Sequence, residues 1–170
     1  MRVRERYGGS VMLRVGFGHD THRLAEGRPL ILAGIRINHS RGLVGHSDAD
    51  VVLHAVADAL LGASGLGDIG EHYPDTDPQW KDLDSARLLQ EVVEQVGRAG
   101  WRTVNCDLVI HAQEPKLGSH KAALRENLAR LLQVDPSFVN VKAKTGELVG
   151  PIGRAEAIAC EAIVLVESQS

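Results

Sequence analysis

The chain has 170 residues, which is enough for one domain whose core needs no disulfides. Its formal charge is -3, with 19 basic and 22 acidic residues and no long basic run, which argues against a nucleic-acid-binding surface. The longest apolar run, 157–166, is too short to cross a bilayer, and the first twelve residues lack the apolar stretch of a signal peptide. We therefore expect a cytoplasmic protein that binds neither nucleic acid nor a membrane.

The first elements along the chain are an N-terminal extension and two strands. Residues 1–11 are mostly polar and precede a second methionine, Met12, so we interpret them as a disordered extension or an upstream start. Alternating apolar residues then predict strands over 11–16 and 29–37, which could pair as a hairpin. Residues 12–170 are expected to form a single domain.

Three helices and three further strands follow. The first predicted helix starts at Ser47, where Asp50 three residues later gives the spacing of a capping box. The other two run from about Asp84 to Gly97 and from Ser119 to Leu132, and the strands cover 103–113, 139–144 and 157–166. The interleaving predicts one α+β layer structure: a mixed four-stranded sheet with helices packed on one face, plus a short hairpin. Cys106 and Cys160 lie in apolar alternating segments and are expected to be buried thiols in a reducing compartment.

The stretch GFGHDTHR places polar side chains at the end of an apolar strand. Asp20 and His22 would face the same way in extended backbone, and His54 is out of place in the alanine-rich helix VVLHAVADALLG. A carboxylate and two imidazoles suit zinc or another divalent transition metal, with one coordination position left open. Asp50 and Asp58, four residues on either side of His54, are expected to orient its ring. Each feature alone is more often structural, but together they favour a metal site.

Three further segments combine groups that bind phosphate. GHSDAD puts His46 and Ser47 at a predicted helix N-terminus, where backbone amides favour an anion, with a simple helix cap as the alternative. AQEPKLG supplies Lys116 after a strand. KAKTGELVGPIGR gathers basic, hydroxyl and acidic groups around three glycines, which fits a diphosphate and a hard divalent cation held by Glu147. A solvated surface loop has a similar composition.

These segments, in this order, resemble the 2-C-methyl-D-erythritol 2,4-cyclodiphosphate synthase family of the non-mevalonate isoprenoid pathway. The matching segments are DTHR, HSDADVVLHAVADALLGASGLGDIGEHYPDTDP, AQEPKLG and KAKTGELVGPIGRAEAIACEA, within about Met12 to Val166. The resemblance implies a phosphorus–oxygen lyase that performs an intramolecular phosphoryl transfer. The 2-phosphate of a cytidine-diphosphate-linked methylerythritol attacks the β-phosphorus, which gives the cyclic diphosphate and releases CMP. It also implies a homotrimer with its sites at subunit boundaries.

The resemblance further implies roles for individual residues. Asp20, His22 and His54 would hold zinc, and Glu147 would help to hold a magnesium or manganese ion. His46 and Thr145 match positions that stabilise the transition state. The expected substrate contacts form a longer set: Asp20, Thr21, His22, His46, Ser47, Asp68, Ile69, Gly70, Tyr73, Pro74, Asp75, Thr76, Asp77, Ala112, Pro115, Lys116, Leu117, Gly118, Lys144, Thr145, Gly146, Glu147, Pro151 and Arg154.

Two positions depart from the family pattern. Many members have TTTEKLGFTGR where this chain has KTGELVGPIGR, so Lys144 replaces a threonine and Pro151 replaces a phenylalanine that touches substrate. We expect activity to survive, with Lys144 either strengthening diphosphate binding or crowding the second metal. Two alternatives remain, a metal-dependent phosphoester hydrolase and a trimeric binding module that has lost the chemistry. Fusion to the preceding cytidylyltransferase, which occurs in some relatives, is not expected at this length.

Overall fold

A mixed five-stranded sheet forms the framework of the fold. The computed structural model describes residues 11–74, 77, 80 and 83–169. The strands are β1 (Leu13–Glu26), β2 (Leu30–Leu32), β3 (Ile35–Ile37), β4 (Arg41–Val44), β5 (Trp101–His111), β6 (Val139–Lys144) and β7 (Ala157–Ser168). The sheet order is β4-β1-β7-β5-β6, in which only β5 and β6 run parallel, and β2 and β3 form a separate hairpin. Residues 1–10 of the expected extension, and Asp75 and Thr76, lie outside the described residues.

Helices cover one face of this sheet. They are α1 (Val51–Ser64), α2 (Ile69–His72), α3 (Ser85–Arg98), α4 (Lys121–Leu132) and α5 (Gly150–Gly153). Helix α1 packs on β1 and β7, while α3 contacts β5 and α4 contacts β6. The predicted extents of α3 and α4 are therefore confirmed to within two residues at each end. Among the described residues, no helix combines the length and apolarity needed to cross a membrane.

Close packing of α1 on β1 depends on two glycines in the GFGHD stretch. A Cβ atom at Gly16 would overlap the carbonyl oxygen of Ala59, and one at Gly18 would overlap that of Ala55. The helix backbone consequently lies directly against the strand, since neither side presents a bulky side chain at the contact. This approach brings His54 of α1 next to the polar residues that follow Gly18 on β1.

Helix α1 is capped by Asp50, not by Ser47 as predicted. The Asp50 carboxylate accepts hydrogen bonds from the backbone N–H groups of Val52 (3.1 Å) and Leu53 (3.2 Å), as an N-cap does. It also accepts from Ala33 (2.9 Å) and Gly34 (2.6 Å) in the turn of the β2–β3 hairpin. Asp50 is fully buried, and this burial raises the pKa of its carboxyl to about 6 despite the four N–H donors. One carboxylate thus ties the hairpin turn to the start of α1.

The strand predictions were wrong in three respects. The first strand continues to Glu26, so Asp20 and His22 lie in its middle and not at its end. The segment 29–37 folds back on itself through Ala33 (φ 48°) and Gly34 (φ 73°), so it does not pair with β1. The sheet has a fifth strand, β4, which was missed because four residues are too few to show a periodic pattern.

The sheet face opposite the helices carries exposed apolar side chains. Leu13, Val15 and Phe17 of β1 are 60%, 66% and 61% exposed, and Ile163 of β7, which pairs with Phe17, is 50% exposed. Alternation along β1 places the buried Gly16 and Gly18 toward α1 and these residues away from it. The described chain therefore leaves one apolar strip uncovered.

Candidate active site

Three side chains from β1 and α1 converge where α1 crosses the strand. Asp20 Oδ2 lies 2.9 Å from His22 Nε2 and 3.0 Å from His54 Nδ1, and the two imidazole nitrogens are 3.2 Å apart. The three donor atoms thus form a nearly equilateral triangle. The prediction that Asp20 and His22 face the same way and that His54 joins them is confirmed.

The triangle has the size that a tetrahedral metal site requires. Metal–ligand bonds of about 2.0–2.1 Å at tetrahedral angles separate neighbouring ligand atoms by about 3.3 Å. The observed separations of 2.9–3.2 Å need only a small outward shift to reach that value. Three protein ligands also leave one coordination position open, as in catalytic sites.

Hydrogen bonds behind the two imidazoles direct the correct nitrogens toward the triangle. His22 Nδ1 is 3.0 Å from the carbonyl oxygen of Val44, which can only accept, so Nδ1 carries a proton and Nε2 faces Asp20. His54 Nε2 is 2.9 Å from Ser85 Oγ and 3.2 Å from Ser47 Oγ. Both imidazoles are therefore anchored through the nitrogen that does not face the triangle.

The expected partners of His54, Asp50 and Asp58, were assigned incorrectly. Asp50 caps α1 as described above, and Asp58 Oδ1 accepts the backbone N–H of Ile69 at 2.8 Å. The spacing of four residues predicted that both carboxylates contact His54. Each of them instead accepts hydrogen bonds from backbone N–H groups of another segment. Ser85, which actually contacts the ring, is 31 residues away in sequence and gave no local pattern from which to predict it.

The charges within the triangle stabilise one another. Burial alone would raise the pKa of Asp20, but hydrogen bonds from His22 and His54 hold that pKa well below its usual range. Burial alone would lower the pKa of His22, but the Asp20 carboxylate raises it above its ordinary value. The cluster thus keeps an ionised carboxylate where a cation would bind.

A cavity of about 320 Å³ opens in front of the triangle. One wall is polar and consists of the triangle with Gly45, His46 and Ser47; the other is apolar and contains Ile69, Tyr73, Trp80, Leu83 and Leu88. The rings of Tyr73 and Trp80 meet edge to face at 5.0 Å, and the Tyr73 hydroxyl donates to Glu91 at 3.2 Å. Sequence reasoning placed His46, Ser47, Ile69 and Tyr73 in the site but missed Gly45 and most of the apolar wall.

Of the remaining residues predicted around this cavity, some lie near it and one faces away from it. Asp68 caps the short helix α2 by accepting from Glu71 N–H at 2.9 Å, and Gly70 is exposed on the same helix. Pro74 and Asp77 are half-buried on the segment that follows. Thr21 points away from the cavity, to the opposite face of β1, where its hydroxyl is 3.3 Å from His19 Nε2.

A second group of predicted residues lies at the far end of the sheet. The loop after β5 contains Ala112, Pro115, Lys116, Leu117 and Gly118. Lys144 ends β6, and the loop and short helix α5 that follow contain Thr145, Gly146, Glu147, Pro151 and Arg154. Ala112 N–H donates to the Lys144 carbonyl at 2.9 Å, which joins the two loops. The Thr145 hydroxyl donates to Glu147 Oε1 at 2.7 Å, and Arg154 pairs with Glu156 at 2.8 Å.

This second group does not line the cavity of its own chain. Thr21, Ala159, His111 and Lys144 lie at one level across the strands β1, β7, β5 and β6. Three strand spacings therefore separate Lys144 from the metal-binding strand, about 14 Å. A larger groove of about 470 Å³ between α3, β5 and the end of α4 is lined by none of the candidate site residues that the structure describes.

Comparison with known proteins identifies the family to which this fold belongs. A family model described as the YgbB family matches residues 13–167. The chain belongs to this family. The curated relatives include the 2-C-methyl-D-erythritol 2,4-cyclodiphosphate synthase of Bordetella avium, which is 53% identical over 161 residues, 95% of this chain and 99% of the relative. The synthase of Syntrophomonas wolfei is 54% identical over 155 residues, covering 91% and 99% respectively.

Solved structures agree with the family assignment. The bifunctional IspDF from Campylobacter jejuni matches with a TM-score of 0.90 and 44% identity, over 94% of this chain and 43% of that one. A CDP-bound form of 2C-methyl-D-erythritol-2,4-cyclodiphosphate synthase matches with a TM-score of 0.83 and 40% identity, over 90% and 99%. The IspF–CDP complex from Plasmodium falciparum has a TM-score of 0.81 and 32% identity, over 97% and 100%. The resemblance inferred from the motifs is thereby confirmed.

Proposed function

We propose that this chain converts 4-diphosphocytidyl-2-C-methyl-D-erythritol 2-phosphate to 2-C-methyl-D-erythritol 2,4-cyclodiphosphate and CMP. The observation that carries the proposal is the triangle of Asp20, His22 and His54 donor atoms beside a cavity with one apolar wall. Relatives that share more than half of the sequence are named for this cyclodiphosphate. A cytoplasmic setting also remains a prediction, supported by two buried free cysteines.

The triangle would hold zinc or another divalent transition metal. When bound, such an ion supplies positive charge that polarises a phosphate oxygen and neutralises charge in the transition state. The chain contributes three ligands whose positions are fixed by β1 and α1. Glu147 would hold a magnesium or manganese ion, and the Thr145 hydroxyl, which donates to Glu147, orients that carboxylate.

Different walls of the cavity suit different parts of the substrate. The apolar wall with Ile69 and Tyr73, together with Asp68 and Gly70 on α2, suits the methylerythritol unit, and the segment 74–77 continues this wall. The Ser47 hydroxyl lies at the polar wall, where it would donate to a phosphate oxygen. His46 is exposed at the same wall and Thr145 lies in the second group, and we propose both as transition-state stabilisers.

The second group of loops suits the cytidine diphosphate. Lys116, Lys144 and Arg154 supply positive charge there, and the backbone of 112–118 offers hydrogen-bonding groups to a base. CDP complexes of relatives with this fold support the assignment. Gly146 packs so tightly that a Cβ atom would overlap the backbone of Gly153, which fixes the loop that carries Glu147.

A homotrimer with sites at subunit boundaries would bring the two groups together. Within one chain they are separated by about three strand spacings, or about 14 Å, which is too far for a diphosphate at the triangle to contact Thr145. The exposed strip of Leu13, Val15, Phe17 and Ile163 supplies an apolar surface for such assembly. Sedimentation of the purified protein would test this, and a monomer that retains full activity would contradict it.

The decisive experiment measures CMP release from the proposed substrate, with zinc and magnesium present and again after chelation. We expect metal-dependent formation of CMP and the cyclic diphosphate in equal amounts. Release of inorganic phosphate would indicate a metal-dependent phosphoester hydrolase instead. Substrate binding without turnover would indicate a binding module.

The same assay tests Lys144, one of the two departures from the family pattern. Lys144 is exposed at the end of β6, and Pro151 lies in the first turn of α5. A higher KM in Lys144→Thr would show that the lysine strengthens diphosphate binding. A lower magnesium requirement in that variant would show that it crowds the second metal.

A further inference from the structure

Behind His54, a chain of hydrogen bonds leads away from the cavity to a buried serine and a carboxylate. His54 Nε2 lies 2.9 Å from Ser85 Oγ, and this hydroxyl makes a short contact with Asp48 Oδ1. Ser85 is the first residue of α3 and is fully buried, and its backbone N–H donates to Asp48 Oδ2 at 3.3 Å. The Asp48 N–H in turn donates to the Leu83 carbonyl at 3.3 Å. The loop before α1 and the start of α3 are therefore joined directly behind the metal ligand.

The direction of each hydrogen bond in this chain follows from the groups involved. An ionised carboxylate only accepts, so the Ser85 hydroxyl donates its single proton to Asp48. The Ser85 oxygen then accepts from His54 when the ring proton is on Nε2, which is the tautomer that metal binding through Nδ1 requires. With a metal bound, this tautomer leaves the lone pair of His54 Nδ1 available to the ion beside Asp20 and His22; without the metal, a proton on Nδ1 makes the hydrogen bond to Asp20 described above.

Ser47 provides a second, longer contact for the same nitrogen. Its Oγ is 3.2 Å from His54 Nε2 and accepts a hydrogen bond from Ala49 N–H at 3.0 Å. Ser47 Oγ also lies 3.5 Å from Ser85 Oγ, so its contacts with His54 and Ser85 are both longer than the one between Ser85 and His54. Ser85 is therefore the closer partner of the ring, although both serines lie next to His54.

We propose that Ser85 and Asp48 are positioning residues that fix the tautomer and orientation of His54 and thereby strengthen metal binding by the triangle. Metal-binding histidines generally donate their second N–H to a carboxylate or carbonyl group, and loss of that partner weakens metal affinity about 10–100-fold. Here a serine hydroxyl is inserted between the imidazole and the carboxylate. The inference rests on the proposed function, since it presupposes that the triangle holds a metal.

The test compares Ser85→Ala with a matched control. Ser64 is also a buried serine on the packed side of a helix, but its hydroxyl has no hydrogen-bond partner within the described part of the chain. The dissociation constant for Zn²⁺ is measured by competition with a chromophoric chelator, and the ligand field is measured from the visible absorption of the Co²⁺ form. We expect Ser85→Ala to weaken Zn²⁺ binding about 10–100-fold and to alter the Co²⁺ spectrum. Ser64→Ala should change neither quantity.

A second variant separates the relay from a merely structural effect. Asp48→Asn keeps the shape of the side chain but removes its charge, so it should also weaken Zn²⁺ binding. The double variant should bind Zn²⁺ no more weakly than Ser85→Ala, because both residues act along one path. Thermal unfolding of each metal-free variant shows whether the fold is intact. If Ser85→Ala does not fold, the Zn²⁺ affinity of Asp48→Asn tests the proposal on its own.

The outcomes distinguish failure of the relay from failure of the metal site. If the wild-type protein binds no Zn²⁺, the triangle is not a metal site and the proposed function loses its support. If the wild type binds Zn²⁺ and Ser85→Ala matches Ser64→Ala, the relay alone is wrong. Additive losses in the double variant, or an unchanged affinity in Asp48→Asn, would likewise overturn it.

Discussion

Replacement of Asp50 by asparagine should make the stability difference from the wild type depend on pH. The Asp50 carboxylate is fully buried, and three backbone N–H groups, from Ala33, Val52 and Leu53, donate to its Oδ1. Asparagine keeps that oxygen, and only the bond from Gly34 N–H to Oδ2 is lost. The variant therefore resembles the protonated acid and removes the titration with little change in shape.

The size of the effect follows from the pKa of Asp50, which burial raises from 3.8 to about 6. Between these values the folded state binds more protons than the unfolded state, so the contribution of this group to stability falls as pH rises. The loss is nearly complete about one pH unit above the folded pKa and amounts to about 3 kcal/mol in total, since each pKa unit corresponds to about 1.36 kcal/mol. Asparagine is neutral throughout and has no such loss.

Urea unfolding of wild type and Asp50→Asn at several pH values between 4 and 8, with chelator present, measures the difference directly. Other titrating groups are common to both proteins and cancel. We expect the wild type to lose about 2–2.5 kcal/mol relative to the variant across this range, because part of the total loss already occurs below pH 4. A constant difference would show that the four N–H donors offset the effect of burial on the pKa, and a difference that favours the wild type as pH rises would show that they outweigh it.

Three further predictions concern packing and the triangle. Gly18→Ala should destabilise the protein by about 1–3 kcal/mol, because the added methyl group overlaps the α1 backbone. Gly62→Ala, an exposed helix position with open space around it, should instead stabilise by about 0.5–1 kcal/mol in the same denaturant series. His54→Ala should lose the tightly bound metal and the activity but keep its assembly state, as metal analysis and sedimentation would show; full activity would contradict the ligand assignment. Because Asp20 raises the pKa of His22, protons should compete with the metal, so affinity should weaken as pH falls through that pKa; affinity that is independent of pH would refute this.

Sequence reasoning succeeded where the relevant contacts are local. The two-residue spacing of Asp20 and His22 fixes their common direction in any strand, and an imidazole in an apolar helix distinguishes His54. The helices α3 and α4 were found because their apolar stripes repeat over three turns or more. Each of these features is visible in a window of a few residues.

The errors involve contacts between distant segments. Nothing in the residues around Ser85 indicates that its hydroxyl meets His54, and the Asp50 carboxylate binds a hairpin turn that precedes it by 16 residues or more. The local pattern at Ser47 fitted a cap, but the helix starts where a carboxylate can serve two segments at once. Such tertiary preferences override local capping rules and cannot be read from spacing.

Taken together, the contacts explain why three ligands from two elements, β1 and α1, meet within a few tenths of an ångström of metal-site geometry. Gly16 and Gly18 set the distance between α1 and β1, and Asp50 sets the point at which α1 begins. These two constraints determine how far His54 lies from β1 and where it lies along that strand. Rotation of the ring is then the remaining freedom, and the contact with Ser85 limits it. Because backbone packing and a buried hydrogen bond fix the ligands independently of one another, little reorganisation accompanies metal binding, and that is the condition under which a small site binds tightly.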